Sequence, residues 1–348
     1  MTRSAKLTGN DTLNILFTCV GRRVSLIQSF RQAMAELKLK GEIVASDITK
    51  TSPAFHTADV GVTVPTVDMP DYIPALLEVV KRHKVELLVP LTDLDLLILS
   101  RKRGIFEQAG CAVMVGSEQA VAACMDKAHT NEIVRRAGLA AIRTCTLEQF
   151  RAEPFYPCFI KPVRGSAGVG AAVISGPEQL DAHVSIFGNR MLLQEYVYGQ
   201  EFTIDVYRSR KGKVLCVVPR QRLIVRSGEV EKAVTVNDAQ LIEAAVKLSE
   251  QLGDIWGVFC CQCRRIDDGA DRPRFFEINP RFGGGAPLSI AAGANLPLYL
   301  LQEATGRPIT AELGKFKDGL LMLRYNEAVF VQARHPASLP GYNTPQFR

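Results

Sequence analysis

The sequence predicts an α/β half followed by an α+β half, and three observations carry that expectation. First, Asn14-Ile15-Leu16-Phe17-Thr18-Cys19-Val20 is an apolar run that stops at Gly21. A helical pattern follows (Val24, Leu26, Ile27, Phe30, Met34, Leu37), then Gly41-Glu42-Ile43-Val44-Ala45-Ser46-Asp47, a strand ending in an acid. Strand, turn, amphipathic helix and strand make the βαβ unit of a doubly wound parallel sheet. Second, Cys158-Phe159-Ile160-Lys161 is a strand ending in a lysine, followed by the glycine-rich loop Gly165-Ser166-Ala167-Gly168-Val169-Gly170 and a returning strand at Ala171-Ala172-Val173. Third, strand patterns separated by short turns fill the chain from Met191 to Asn279, as in antiparallel sheets.

In order, residues 1–11 read as a loose tail. The parallel pattern continues through a helix at Tyr72–His83, a strand at Val85–Val89, the turn Pro90-Leu91-Thr92-Asp93 and a short strand at Ala112–Val115. From Ser117 to Gly138 the pattern is helical, with Asp126 and Lys127 near its middle. Strands then follow at Met191–Val197, Glu201–Tyr207 and Val214–Val218, the second pair joined by a turn at Ser209–Gly212. A basic stretch (Arg220, Arg222, Arg226), an amphipathic helix at Ala239–Gly253, a strand at Val258–Arg264, a turn at Asp267–Asp271 and a strand from Phe275 complete the pattern.

Composition narrows the function. The 348 residues are 47% hydrophobic and 22% charged, which suits two or three globular domains. A net charge of +6 without a lysine/arginine run argues against a nucleic-acid partner. The nine cysteines are odd in number and scattered through apolar strands, so free thiols in a reducing compartment are expected. No signal peptide is visible, and the most apolar segment, Val85–Leu99, is short and carries Asp93 and Asp95. The expected setting is the cytoplasm, with no membrane partner. The first βαβ turn lacks GxGxxG, having only Gly21 before Arg22-Arg23, and the later loop is neither a Walker A loop nor a Rossmann fingerprint.

The chemistry concentrates in Phe275-Phe276-Glu277-Ile278-Asn279-Pro280-Arg281-Phe282-Gly283-Gly284-Gly285. Strand alternation puts Glu277 and Asn279 on one face. The midpoint between Gln262 and Glu277 falls in the Gly269-Ala270 turn, so a simple hairpin sets these two side by side. Gln262, Glu277 and Asn279 then form an oxygen-rich patch suited to Mg²⁺, with Mn²⁺ as a substitute. Arg281 follows at once, and Gly283, Gly284 and Gly285 are expected beside the acceptor substrate at the start of a helix near Leu288–Ala292. Lys161 with Gly165, Ser166, Gly168, Val169 and Gly170 can fold over phosphates, or can be a tight hairpin beside a solvated lysine. Glu195 and Glu201 bracket a turn from which acids could accept from adenine and ribose, with the backbone of Tyr196 and Val197 pairing with the base; exposed acids beside a turn are the plainer alternative. Arg220, Arg222 and Arg226 are either a surface stripe or an anion site.

Together these motifs resemble the ATP-grasp family, in particular its members similar to the carbamoyl-phosphate synthase large subunit and to PylC-type amino-acid ligases. The resemblance runs from about Ile15 to Pro308. It is carried by Lys161-Pro162…Gly165–Gly170, Gln194-Glu195-Tyr196-Val197…Gly199-Gln200-Glu201-Phe202 and Glu277-Ile278-Asn279-Pro280-Arg281. It implies a Rossmann-like pre-ATP-grasp domain at 1–117 and a two-subdomain ATP-grasp fold at 118–310, with the lid on 118–194 and the metals on 195–310. A C-terminal segment spans 311–348.

By that resemblance, Lys127 and Lys161 touch ATP phosphates or the adenine rim. Glu195, Tyr196 and Val197 hold adenine, and Glu201 the ribose. Glu277 and Asn279 hold magnesium, and Arg281 steadies the transferred phosphoryl group. Gln262 stands where many relatives carry an acid, although carbamoyl-phosphate-synthase-like members also use glutamine; the lost charge would weaken one of two metal sites. The implied reaction is attack of a small-molecule carboxylate on the γ-phosphate of ATP, giving an acylphosphate and ADP, followed by an amine that displaces phosphate. The implied partners are thus a carboxylate and an amine, with a homodimer open. Three alternatives stand beside this reading: an enzyme that phosphorylates bicarbonate or carbamate, a non-catalytic nucleotide-binding module, and a dehydrogenase built on the N-terminal domain.

Overall fold

The chain folds around three sheets, and the computed structural model describes residues 11–163, 169–226, 228–265 and 272–332. The N-terminal elements are β1 (Ile15–Thr18), α1 (Val24–Glu36), β2 (Ile43–Asp47), β3 (Val60–Thr63), α2 (Tyr72–Arg82), β4 (Leu87–Pro90), α3 (Leu96–Gln108) and β5 (Ala112–Val113). Their sheet is wholly parallel, in the order β3-β2-β1-β4-β5. Strands β1 and β4 are buried along their length, as expected when helices cover both faces. The chain direction switches between β1 and β4, which opens a crevice beyond their carboxyl ends, at Gly21 and at Thr92-Asp93. Gly21 takes a positive φ of 46° there, and its N–H is held by Asp47 at 2.8 Å. The acid that ends β2 is therefore engaged by backbone rather than left for a ribose.

The helical stretch beginning at Ser117 divides into α4 (Glu118–Met125) and α5 (Lys127–Arg136), because Asp126 between them is extended. Next come β6 (Ala140–Ala141), β7 (Thr144–Thr146), α6 (Leu147–Ala152), β8 (Cys158–Pro162), β9 (Ala172–Ile174), α7 (Pro177–Phe187) and β10 (Met191–Glu195). Four of these make a small antiparallel sheet, β7-β10-β8-β9, over a core of Phe150, Ile160 and Leu193. Gly165, Ser166 and Gly168 of the expected loop lie outside the described residues, as does the Asp267–Asp271 turn. The remaining elements are β11 (Gln200–Arg208), β12 (Val214–Arg226), β13 (Glu229–Thr235), α8 (Ala239–Glu250), β14 (Gly257–Arg265), β15 (Pro273–Asn279), α9 (Ala286–Ala291), α10 (Leu296–Ala304) and β16 (Leu321–Leu323). They give a seven-stranded sheet, β16-β13-β12-β11-β14-β15-β6. The basic stretch continues β12 without a break, whereas the sequence suggested that the strand stops before it. No helix among the described residues is long and apolar enough to cross a membrane.

Two packing features place the site. Phe282, fully buried just after β15, stacks edge-on against Phe30 of α1, which stacks on Phe17 of β1. One apolar core thus joins the parallel sheet to the large sheet. The second feature is an ion pair sealed within the large sheet. Arg220 is 1% exposed and Asp205 is fully buried, and two hydrogen bonds of 2.8 and 2.9 Å join them. Ser289 of α9 donates to the same carboxylate at 2.6 Å. Taking two charges out of water is costly, and only the paired geometry offsets it.

Removing one partner would leave a bare buried charge. Asp205→Ala is expected to lower unfolding free energy by about 3–5 kcal/mol, read from urea denaturation midpoints. Asp205→Leu combined with Arg220→Met should recover most of that loss.

Candidate functional site

The glycine-rich segment after β15 closes over this pair. A Cβ on Gly285 would lie 2.2 Å from Arg220 Nη1, and one on Gly283 would lie 3.2 Å from Asp205 Oδ1. Gly285 thus leaves the space that Arg220 fills, and a side chain at Gly283 would press on Asp205. This corrects the reading of Arg220, Gly283 and Gly285 as substrate contacts: Arg220 is sealed from solvent, and the two glycines cover it. Gly284 differs, because its open side faces Arg23, whose Nη1 is 3.1 Å from where a Cβ would sit.

Gln262 and Glu277 meet as the hairpin count requires. Gln262 and Glu277 are directly paired between β14 and β15, and Cys260 pairs with Asn279. Asn279 Nδ2 donates to Glu277 Oε1 at 3.1 Å. With the Gln262 amide oriented to satisfy both its ends, Nε2 donates to Glu277 Oε2 at 3.2 Å and Oε1 accepts from Arg222 at 3.1 Å. Both amides turn N–H groups to the carboxylate here; with their oxygens turned in, one carboxylate and two amides would make a hard donor set of low charge. That suits Mg²⁺, which takes few protein ligands and completes its shell with water and phosphate.

Arg281 reaches out of this patch into the crevice of the parallel sheet. Its Nε and Nη2 bond both oxygens of Asp93 at 3.0 and 2.5 Å, and Nη2 lies 3.4 Å from Asn279 Oδ1. Burial works against its charge, but Asp93 outweighs burial and holds the guanidinium above its ordinary pKa. Sequence reasoning missed this partner, which lies in the Pro90–Asp93 turn.

Lys161 ends β8 on the opposite wall, with Nζ 5.9 Å from the centre of the Phe276 ring. Burial lowers its pKa from 10.5 to about 8, Glu277 opposes that shift and Lys127 adds to it. Lys127, Lys161 and Glu277 therefore share one electrostatic environment. Lys127 Nζ also reaches the Val163 carbonyl at 3.5 Å, beside the glycine-rich loop. Val169 is exposed, and the Gly170 carbonyl is held by His183 at 3.0 Å.

The expected adenine and ribose acids are engaged within the protein. Glu195 accepts from Arg274 at 2.7 Å and from the Arg143 N–H at 3.2 Å. Glu201 is clamped by Arg222 at 2.9 Å and Arg264 at 2.7 Å, and Arg264 also donates to the Val197 carbonyl at 3.0 Å. The Tyr196 ring lies 5.9 Å from the Arg264 guanidinium. Arg222 is thus a structural tie between Glu201 and Gln262, and Arg226 is exposed and pairs with Glu231 at 3.0 Å. Seven of the nine cysteines are buried; burial pushes the Cys216 and Cys260 thiols up to about 12, so neither is a ready nucleophile.

A doubly wound domain, a lysine-bearing small sheet and a large sheet ending in Glu277, Asn279 and Arg281 define a nucleotide-dependent enzyme built for phosphoryl chemistry. Comparison with known proteins gives the family. Residues 188–328 match the family described as "ATP-grasp in the biosynthetic pathway with Ter operon", and residues 15–114 match "PylC-like, N-terminal domain". The chain thus carries an ATP-grasp region at 188–328 and a PylC-like N-terminal domain at 15–114. It is 27% identical over 305 residues to formate-dependent phosphoribosylglycinamide formyltransferase of Synechococcus sp. (strain WH7803), covering 80% of this chain and 74% of the relative. Its fold is similar to Campylobacter jejuni biotin carboxylase bound to a βγ-ATP ligand, with TM-score 0.70, 16% identity and coverage of 88% and 74% of the two chains. It is also similar to the biotin carboxylase domain of Hydrogenobacter thermophilus 2-oxoglutarate carboxylase, solved with MgADP, ADP and bicarbonate (TM-score 0.68, 17% identity, 88% and 73% coverage).

Lys161 generates a pH prediction. Its ammonium is present below about pH 8 and lost above it in the free protein. The kcat/KM for ATP should therefore fall as pH rises through about 8, and Lys161→Arg should flatten that limb. An unchanged profile in the arginine variant would show that another group sets it.

Proposed function

We propose that this chain is an ADP-forming carboxylate–amine ligase. It activates a small-molecule carboxylate as an acylphosphate and joins it to an amine. The observation that carries the reading is the convergence of Lys161, Glu277 and Arg281 on one site between the sheets. The domain limits 1–117, 118–310 and 311–348 are proposed with it, as are a cytoplasmic setting and a homodimeric assembly.

Each group has a task that its surroundings allow. Lys161, desolvated but close to Glu277, offers a cation to the phosphates, with Lys127 beside it. Glu277 and Asn279 would hold Mg²⁺, or Mn²⁺ in its place, with Gln262 as the neutral third donor. When bound, the metal neutralises charge on the phosphates. Arg281, fixed by Asp93, presents a guanidinium that cannot lose its proton at neutral pH, and steadies the transferred phosphoryl group. The backbone of Tyr196 and Val197 is proposed to receive adenine.

The carboxylate oxygen attacks the γ-phosphorus, the bond to the β-phosphate oxygen breaks, and ADP leaves. The amine nitrogen then attacks the acyl carbon, phosphate departs, and the nitrogen loses a proton. Positioning and charge neutralisation carry this rate, so the chain needs no covalent nucleophile. The proposed carboxylate and amine are small molecules, as formate and phosphoribosylglycinamide are in the name of the cyanobacterial relative.

Screening carboxylates and amines in pairs should find a combination that releases ADP and inorganic phosphate only with Mg²⁺ present. AMP and pyrophosphate would refute the acylphosphate route. Glu277→Gln should lower kcat by on the order of 10²–10³-fold while the fold is retained. Full turnover in that variant would remove the metal assignment.

A further inference from the structure

The crevice beside this site holds a cation with no partner. Arg23 stands at the N-cap of the 13-residue helix α1, directly after the Gly21 turn, and its side chain makes no capping bond. Among the described residues it makes no hydrogen bond or ion pair, although it is half-buried against Gly284. Burial and then Arg281 bring its pKa down from 12.5 to about 10, against the opposing pull of Glu229. A desolvated guanidinium facing other guanidinium groups is unfavourable unless something anionic offsets it.

The surrounding charges show how much is missing. Arg22 and Arg324 share the single carboxylate of Glu229, each at 3.3 Å. Arg281 is matched by Asp93. Arg23, Arg281 and Arg324 thus stand against Asp93 and Glu229, with the exposed Arg22 also drawing on Glu229, so the Arg23 charge is left without a carboxylate of its own. These groups come from three parts of the chain: the β1–α1 turn, the end of β15, and the segment after β16. Arg324 also donates to the Gly284 carbonyl at 2.5 Å, which fixes the backbone opposite Arg23. In the first turn of α1, Leu26 N–H donates to the Arg23 carbonyl at 3.2 Å, and among the described residues Val24 and Ser25 N–H donate to no protein group. The location is the switch point between β1 and β4, where open parallel sheets take their ligands.

We propose that Arg23, with Gly284 and the opening turn of α1, receives a dianionic group on the amine substrate, a phosphate monoester or a pair of carboxylates. The identity of the bearer as the amine rests on the ligase reading, since the activated carboxylate belongs beside Arg281 and Lys161. Arg23 is on this view a specificity-determining residue. It selects the acceptor and leaves phosphoryl transfer to the other groups.

Calorimetric titration of the full chain with inorganic phosphate, succinate and acetate at matched ionic strength tests this. The dianions should bind at least about tenfold more tightly than acetate, the size expected for a charged hydrogen-bonded pair. Whichever of phosphate and succinate binds tighter identifies the form of the group. Arg23→Ala should weaken dianion binding by roughly 10–100-fold, Arg23→Lys should restore part of it, and Lys161→Ala should leave it unchanged. Circular dichroism and the thermal unfolding midpoint of each variant report that its fold is intact, and Arg23→Gln serves if the alanine variant does not fold. Binding lost in Lys161→Ala but kept in Arg23→Ala would place the anion in the nucleotide site and overturn the proposal. So would acetate binding as tightly as phosphate, or no dianion binding to the unaltered chain. ADP formation with an uncharged amine alone would refute this inference and leave the ligase reading standing, whereas absence of ADP with every amine would strike the ligase reading itself.

Discussion

The structure depends on the ion pair between Arg281 and Asp93, because it brings the large sheet to the crevice of the parallel sheet. The two residues are 188 positions apart, and both bonds of the guanidinium fork are made. A paired fork holds direction as well as charge, so Arg281 cannot swing away from Asn279. Phe282, the next residue, is buried against Phe30 and fixes the depth of approach. Burial of one aromatic ring thus positions the adjacent cation. Truncating such a ring typically costs about 3–5 kcal/mol, more than the partly exposed ion pair contributes alone. Packing therefore sets the distance and the ion pair sets the orientation.

Beneath this pair lies the sealed Arg220–Asp205 bridge, which explains the three glycines. Gly283 and Gly285 lack side chains because Arg220 and Asp205 occupy that space. Gly284 keeps an open side, and there the surplus positive charge gathers around Arg23. The layering runs from a buried ion pair, through bare backbone, to uncompensated charge at the crevice. Function sits at the last layer, where the fold leaves charge uncompensated.

Much of this was legible in the sequence, and the limits are physical. The βαβ pattern is visible because strands buried on both faces read as continuous apolar runs. The pairing of Gln262 with Glu277 could be counted from the turn, and it holds although a bulge interrupts the ladder between that pair and the turn. The same count applied to the Ser209–Gly212 turn sets Glu201 opposite Arg220, whereas a bulge at Tyr207-Arg208 moves its partner to Arg222. The irregularity is invisible in the sequence, so Arg222 read as a substrate residue. Arg220 was misread for a related reason: its run of charge looks like a surface stripe until the neighbouring strand supplies Asp205. Arg264 could not be found this way, because β11 and β14 are neighbours without being joined by a hairpin. Nor could Asp93 or Arg23, since periodicity says nothing of which loops meet across 188 residues of chain.

The central claim is that the carboxylate substrate itself attacks the γ-phosphate at this site. The most direct measurement follows oxygen. With the carboxylate labelled with ¹⁸O and turnover run with MgATP and the amine, one labelled oxygen should appear in the released inorganic phosphate, detected by its ³¹P shift. Phosphate free of label, with the one oxygen that the amide loses found instead in AMP, would contradict the account.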